Sequence, residues 1–193
     1  MGRVGVGPAA VAAGGGSPRE PAAVRDAALP ARRDRLVEVT LDTGTILRWN
    51  PDVQHEIDVA VYDLKEANLF RPQDLPAEAG AEPGPFVLHL AVLDNRLVME
   101  IKAAEDGRPL DKVTLALTPL RRLIREYFTI CESYYEAIRR ASPMQIEAID
   151  MGRRGLHDEA AVILRERLDG KVEIDHGTAR RLFTLICVLH IRG

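Results

Sequence analysis

The residues best suited to chemistry lie between Glu147 and His157. Gly152-Arg153-Arg154-Gly155 sets two guanidinium groups between glycines, with Glu147, Asp150 and His157 within a few turns. Arginines at a helix break would present their charged forks together with free backbone N–H groups. That combination suits a phosphate or a carboxylate. His157, Glu147 and Asp150 add groups able to move protons. The same residues also read as a plain helix–helix corner. In that reading Gly152 caps one helix, Arg153 and Arg154 pair with acids, and Gly155 allows close packing.

A second candidate is the aromatic pair of pairs, Tyr127-Phe128 and Tyr134-Tyr135. Tyr127 and Tyr134 share a helix face and read mainly as core. Tyr135, with Arg139 and Arg140 nearby, forms a candidate partner surface, because Tyr and Arg are favoured interface anchors.

Other reactive residue types carry weaker signals. Cys131 sits on an apolar stripe and Cys187 in an apolar run, so both read as buried core thiols. Two cysteines cannot build a disulfide framework or a four-cysteine zinc site. His55-Glu56 begins like the zinc helix motif, but position 59 is Val and the second ligand is missing. His55 therefore reads as a solvated or capping-turn histidine. His89 reads as a hydrogen-bonding strand residue, and His190 as the end of a helix, where a cation suits the dipole. We find no nucleotide-binding glycine loop with Lys-Ser/Thr, no Gly-x-Ser-x-Gly elbow and no metal-ligand spacing. No cofactor is expected.

These residues need elements to hold them. Leu36 to Leu41 reads as a half-buried strand, and Asp42-Thr43-Gly44 as a turn. Asn50-Pro51 starts a helix that runs to about Asn68, with Val53, Ile57, Ala60, Val61 and Leu64 on one face. Residues 71–85 are rich in proline, glycine and acids and read as an exposed loop. Two β-rich runs, Phe86 to Leu93 and Leu97 to Ala103, flank Asp94-Asn95, a hairpin signal. A further strand follows at Val113 to Leu117. From Thr118 the apolar period becomes helical: Leu120, Leu123, Ile124, Tyr127, Cys131, Tyr134 and Ile138 form one face. Ser142-Pro143-Met144-Gln145 has the makings of a capping box and a new helix. That helix pauses at Gly152 to Gly155 and resumes to Leu168. Asp175 or Thr178 caps a last helix, apolar nearly all round from Leu182 to Leu189, which reads as a buried central helix. The expected fold is α+β: a small antiparallel sheet of about four strands, packed against one helix and a C-terminal helical half of three to four helices.

Residues 1–35 differ from the rest. Ala, Gly, Pro and Arg occupy 25 of these 35 positions, too little apolar surface to offset the entropy of ordering. We read residues 1–35 as a disordered leader and 36–193 as a single domain. The leader is either a true tail or translation from an upstream start; mass spectrometry of the native N-terminus separates the two.

The net charge of −3 averages three unlike blocks. Residues 1–35 carry +3, residues 36–118 carry −8 and residues 119–193 carry +2. No block is a basic stripe able to grip a phosphate backbone, so nucleic acid is not an expected partner. No apolar run approaches the roughly 20 residues that span a membrane. Reduced thiols fit the cytoplasm.

Several runs resemble the bacterial uncharacterised protein family numbered 0262. They are Cys131-Glu132-Ser133-Tyr134-Tyr135, Gln145 through His157, and Ala179 through Leu185 with Cys187-Val188-Leu189-His190. Asn50-Pro51-Asp52-Val53-x-His55-Glu56 and Asn95-Arg96-Leu97-Val98 resemble it as well. The likeness spans about residues 36–193. It implies a small cytoplasmic bacterial protein and brings no reaction and no catalytic residue. Two functions follow from the residues. One is a non-enzymatic interaction or regulatory module with a protein partner or a second copy of itself. The other is a small enzyme or binding protein for an anionic metabolite at Arg153, Arg154 and His157.

Overall fold

The computed structural model describes residues 33–45, 51–75 and 83–190. The Asn50 cap and nearly all of the leader lie outside the described residues. Strand β1 (Leu36–Leu41) leads through helix α1 (Pro51–Glu66) and the short strand β2 (Phe70–Pro72) to β3 (Phe86–Leu93), β4 (Arg96–Ala103) and β5 (Pro109–Ala116). A 3-10 turn at Thr118–Leu120 opens α2 (Arg121–Arg140), followed by α3 (Pro143–Leu168), β6 (Val172–Ile174) and α4 (His176–Leu189).

The main sheet has the order β1-β3-β4-β5. From β3 to β5 it is the antiparallel meander that the alternating runs predict. Asp94 and Asn95 make the β3–β4 turn with φ of 47° and 59°. Two successive left-handed residues match the twist of the strands they join, and Asn and Asp tolerate that region. β1, however, pairs parallel to β3, Leu36 opposite Phe86 and Leu41 opposite Leu90. The sheet is therefore mixed, not wholly antiparallel. The reason is α1: a strand followed by a crossover helix re-enters its sheet running the same way.

Two further corrections concern the loop and the last helices. Arg71 and Pro72 do not belong to a loop. With Phe70 they form β2, which pairs antiparallel with β6 and is pinned by Arg71 to Glu173 and Asp34 at 2.8 and 2.6 Å. The helix break at Gly152–Gly155 is absent, because α3 runs unbroken from Pro143 to Leu168. It starts with the capping box read from the sequence, the Ser142 hydroxyl accepting from the Gln145 N–H and the Gln145 side chain accepting from the Ser142 N–H.

α4 is the buried central helix. Leu182 to Leu189 are all buried, and the helix packs against α1 and α3. Asn68, just past α1, is buried and ties β1 to the helix: its amide accepts from the Leu36 N–H at 2.7 Å and donates to the Leu36 and Leu64 carbonyls. Nothing in the sequence pattern singles that residue out.

The core stops partway along α2 and α3. Beyond Tyr127, Ala137 is the one buried residue of α2 among the described side chains. In α3 burial begins at Leu156. The second half of α2 and the first half of α3 thus pack on each other and extend past the core as a helical hairpin. Thirteen helical residues, Pro143 to Gly155, give it a reach of roughly 20 Å.

Candidate functional site

Two places on this scaffold gather polar and exposed residues: a cleft between α1, α3 and α4, and the hairpin.

The cleft has a volume of about 290 Å³. Each helix offers it one face. α1 supplies Glu56, Val59, Ala60 and Asp63, α3 supplies Arg153 and His157, and α4 supplies Gly177, Arg180, Arg181 and Thr184. The i, i+3, i+4, i+7 spacing on α1 and α4 sets four residues of each on one stripe.

His157 forms the floor and is buried, 6% exposed. Its Nδ1 lies 2.9 Å from the Arg153 carbonyl oxygen, so the proton sits on Nδ1 and is donated there. Nε2 is then the acceptor and faces the Thr184 hydroxyl at 3.2 Å. Tyr127 and Phe183 stand edge-on to the ring. Burial, reinforced by the nearby Arg153 and Arg180 charges, holds the imidazole below its ordinary pKa. Tyr127 donates to Glu56 on α1 at 3.3 Å, and burial pushes its phenol well above the usual range.

Arg153 and Arg180 are held by acids outside the cleft lining, and Arg181 by Asp63 within it. Asp150 accepts from Nε and Nη2 of Arg153 through one oxygen, at 3.2 and 2.9 Å. Its other oxygen lies 2.7 Å from Arg154. Arg153 keeps the Asp150 carboxyl below the ordinary carboxylate value, and its guanidinium lies over the Tyr134 ring at 5.5 Å. Arg180 pairs with Asp158 at 3.1 Å. Arg181 donates to the Ala67 carbonyl at 3.1 Å and faces Asp63 at 3.8 Å.

Of the residues singled out from the sequence, Arg153 and His157 line the cleft and Asp150 orients Arg153. Arg154 is paired but largely exposed, and Glu147 is exposed; neither lines the cleft. Because α3 is continuous, the Gly152–Gly155 segment has no freed N–H groups to offer a ligand. Glu56, Asp63, Arg180, Arg181 and Thr184 escaped sequence reasoning. The available signal was polar residues at helical spacing on helices otherwise read as core.

Cys187 is a core group, whereas Cys131 is only partly buried at the edge of the core. Cys187 is fully buried, and burial raises its pKa. Burial pushes Cys131 up to about 11, so neither is a ready nucleophile. His55 is exposed, His89 meets the Thr40 hydroxyl at 2.9 Å, and His190 closes α4. Among the described residues no cluster of His, Cys, Asp or Glu could hold a metal ion. No helix among them is long and apolar enough to cross a membrane.

On the hairpin, Ile138 and Met144 near the tip are 53% and 80% exposed, and Met151, two turns nearer the core, is 67% exposed. Arg139 and Arg140 are exposed beside them. The Tyr135 side chain lies outside the described residues.

Fold and site together define a small α+β protein with a projecting helical hairpin and a charged interhelical cleft. The profile of UPF0262, an uncharacterised protein family, matches residues 33–192, and the chain belongs to that family. A UPF0262 protein of Nitrobacter winogradskyi is 56% identical over 161 residues, covering 83% of this chain and 92% of that one. One of Azorhizobium caulinodans is 54% identical over 160 residues, covering 83% and 96%. One of Rhodopseudomonas palustris strain TIE-1 is 56% identical over 160 residues, covering 83% and 94%. No solved structure matches the chain.

Proposed function

We propose that this protein is a non-enzymatic interaction module of the cytoplasm, docking a partner protein on the end of the α2–α3 hairpin. The observation that carries this reading is apolar exposure where the core has ended. Ile138, Met144 and Met151 stay more than half exposed on two helices whose neighbouring turns bury almost nothing. Exposed apolar groups gathered on one element mark contact surfaces, and methionine adapts its shape to a partner.

The charge of the tip specifies the partner. From Ala137 to Ile146 the chain carries Arg139 and Arg140 and no acid. The complementary surface is an apolar groove with an acidic rim, entered by one end of a helical hairpin. The test is affinity capture from native cells with wild type and with Arg139→Glu/Arg140→Glu. The expected result is loss of the captured partner from the variant while its circular dichroism stays that of wild type. Undiminished capture by a folded variant overturns the proposal.

A further inference from the structure

We infer that the cleft between α1, α3 and α4 binds a small polar metabolite with an oxyanion, carboxylate or phosphate, at one end and an ammonium or hydroxyl group at the other. This site is separate from the hairpin tip and does not depend on the docking proposal.

Asp150 and Asp158 grip Arg153 and Arg180, yet neither acid lines the cleft. A guanidinium has five N–H donors in a planar fork. Asp150 takes the Nε and Nη2 edge of Arg153, and Asp158 takes Nη1 of Arg180. The remaining edges belong to side chains that form the cleft wall. Acids behind the wall thus fix the arginines in place before a ligand arrives, which lowers the ordering cost of binding.

The opposite wall gives the site its polarity. Glu56 and Asp63 of α1 face the arginines of α3 and α4 across the cleft. A bare anion would be attracted by one wall and repelled by the other. A ligand with an oxyanion toward Arg153 and Arg180 and a donor toward Glu56 satisfies both. The floor of His157 and Thr184 is neutral and already hydrogen-bonded, so it imposes no charge of its own. At about 290 Å³ the cleft lies just below the roughly 300–1,000 Å³ typical of ligand pockets and suits a small ligand.

The test titrates the full chain, at constant ionic strength, with inorganic phosphate, acetate, phosphoethanolamine and γ-aminobutyrate. Binding is followed by thermal shift and by backbone amide chemical shifts. Saturable binding of phosphoethanolamine or γ-aminobutyrate is expected, tighter than that of phosphate or acetate. Which of the two binds tells a phosphate site from a carboxylate site. Shifts should map to Gly177, Arg180 and His157. Arg153→Gln/Arg180→Gln should weaken binding by about tenfold or more, the loss of charge-assisted hydrogen bonds. Glu56→Gln should weaken the ammonium-bearing probes and spare phosphate. No saturable response to any probe overturns the inference, as do shifts scattered outside the cleft or a folded double variant that binds like wild type. The shift map on wild type decides the matter if the variant does not fold.

Discussion

His157 is the residue where chemistry and stability meet. Its ring is buried against Tyr127 and Phe183, and burial holds its pKa below that of a free histidine. In the unfolded chain the same histidine protonates at its ordinary value, so below that pH the unfolded state binds more protons than the folded one. Stability is therefore present above about pH 6.5 and declines as the pH falls toward the folded value. Asp150 and Asp158, whose pKa values are lowered from 3.8 by their partners, act in the same direction but only at more acid pH. Thermal melts from pH 7.5 to 5 should show a falling Tm for wild type and a flatter line for His157→Asn. Equal slopes for the two proteins would show that another group carries the effect. Single residues were unevenly legible in the sequence. Cys187 read as a core thiol from its apolar run and is one, Cys131 read the same way but is only partly buried, and His55 read as solvated or in a capping turn once its second ligand was missing. Arg180, Arg181 and Thr184 were not legible as site residues. Their importance comes from α1 and α3 being packed opposite, which is tertiary information.

At the scale of elements, α3 is the sharpest lesson. Gly152 and Gly155 suggest a break, since a glycine in a helix costs about 1 kcal/mol relative to alanine. The helix nevertheless continues, with a capping box at its start and Leu156, Ala160, Ala161, Leu164 and Leu168 buried in its second half. Packing and capping outweigh the local penalty. Gly155 sits in the helix interior, and an added Cβ would meet no atom within 4 Å. Gly155→Ala should therefore stabilise the protein by about 0.5–1 kcal/mol in chemical denaturation. Destabilisation would mean a glycine-specific turn at this point. The helices and the β3–β5 meander were legible because their apolar periods are long. The direction of β1 was not, because an isolated strand does not declare its neighbour. The β2–β6 pair of three-residue strands was not either, being too short to show a period.

Over the whole molecule, the exposed large apolar side chains of the described residues include Val59 and Tyr62 on α1, Leu93 on the sheet and Val162 on α3, and the most exposed of them, Met144 and Met151, are on the hairpin. The four strands of the main sheet balance three acids, Glu38, Glu100 and Asp111, against three bases, Arg96, Lys102 and Lys112, and on its open face Thr40 meets His89 at 2.9 Å and Lys112 meets Glu100 at 3.0 Å. The hairpin carries exposed Ile138, Met144 and Met151 beside Arg139 and Arg140. Docking is therefore proposed for the hairpin end and not for the sheet. The most direct test is site-specific photo-crosslinking in native cells, with the photoreactive residue placed in turn at positions 138, 144, 40 and 112. The prediction is one adduct of common mass from positions 138 and 144 and none from 40 or 112. Adducts from the sheet positions with none from the hairpin would contradict it.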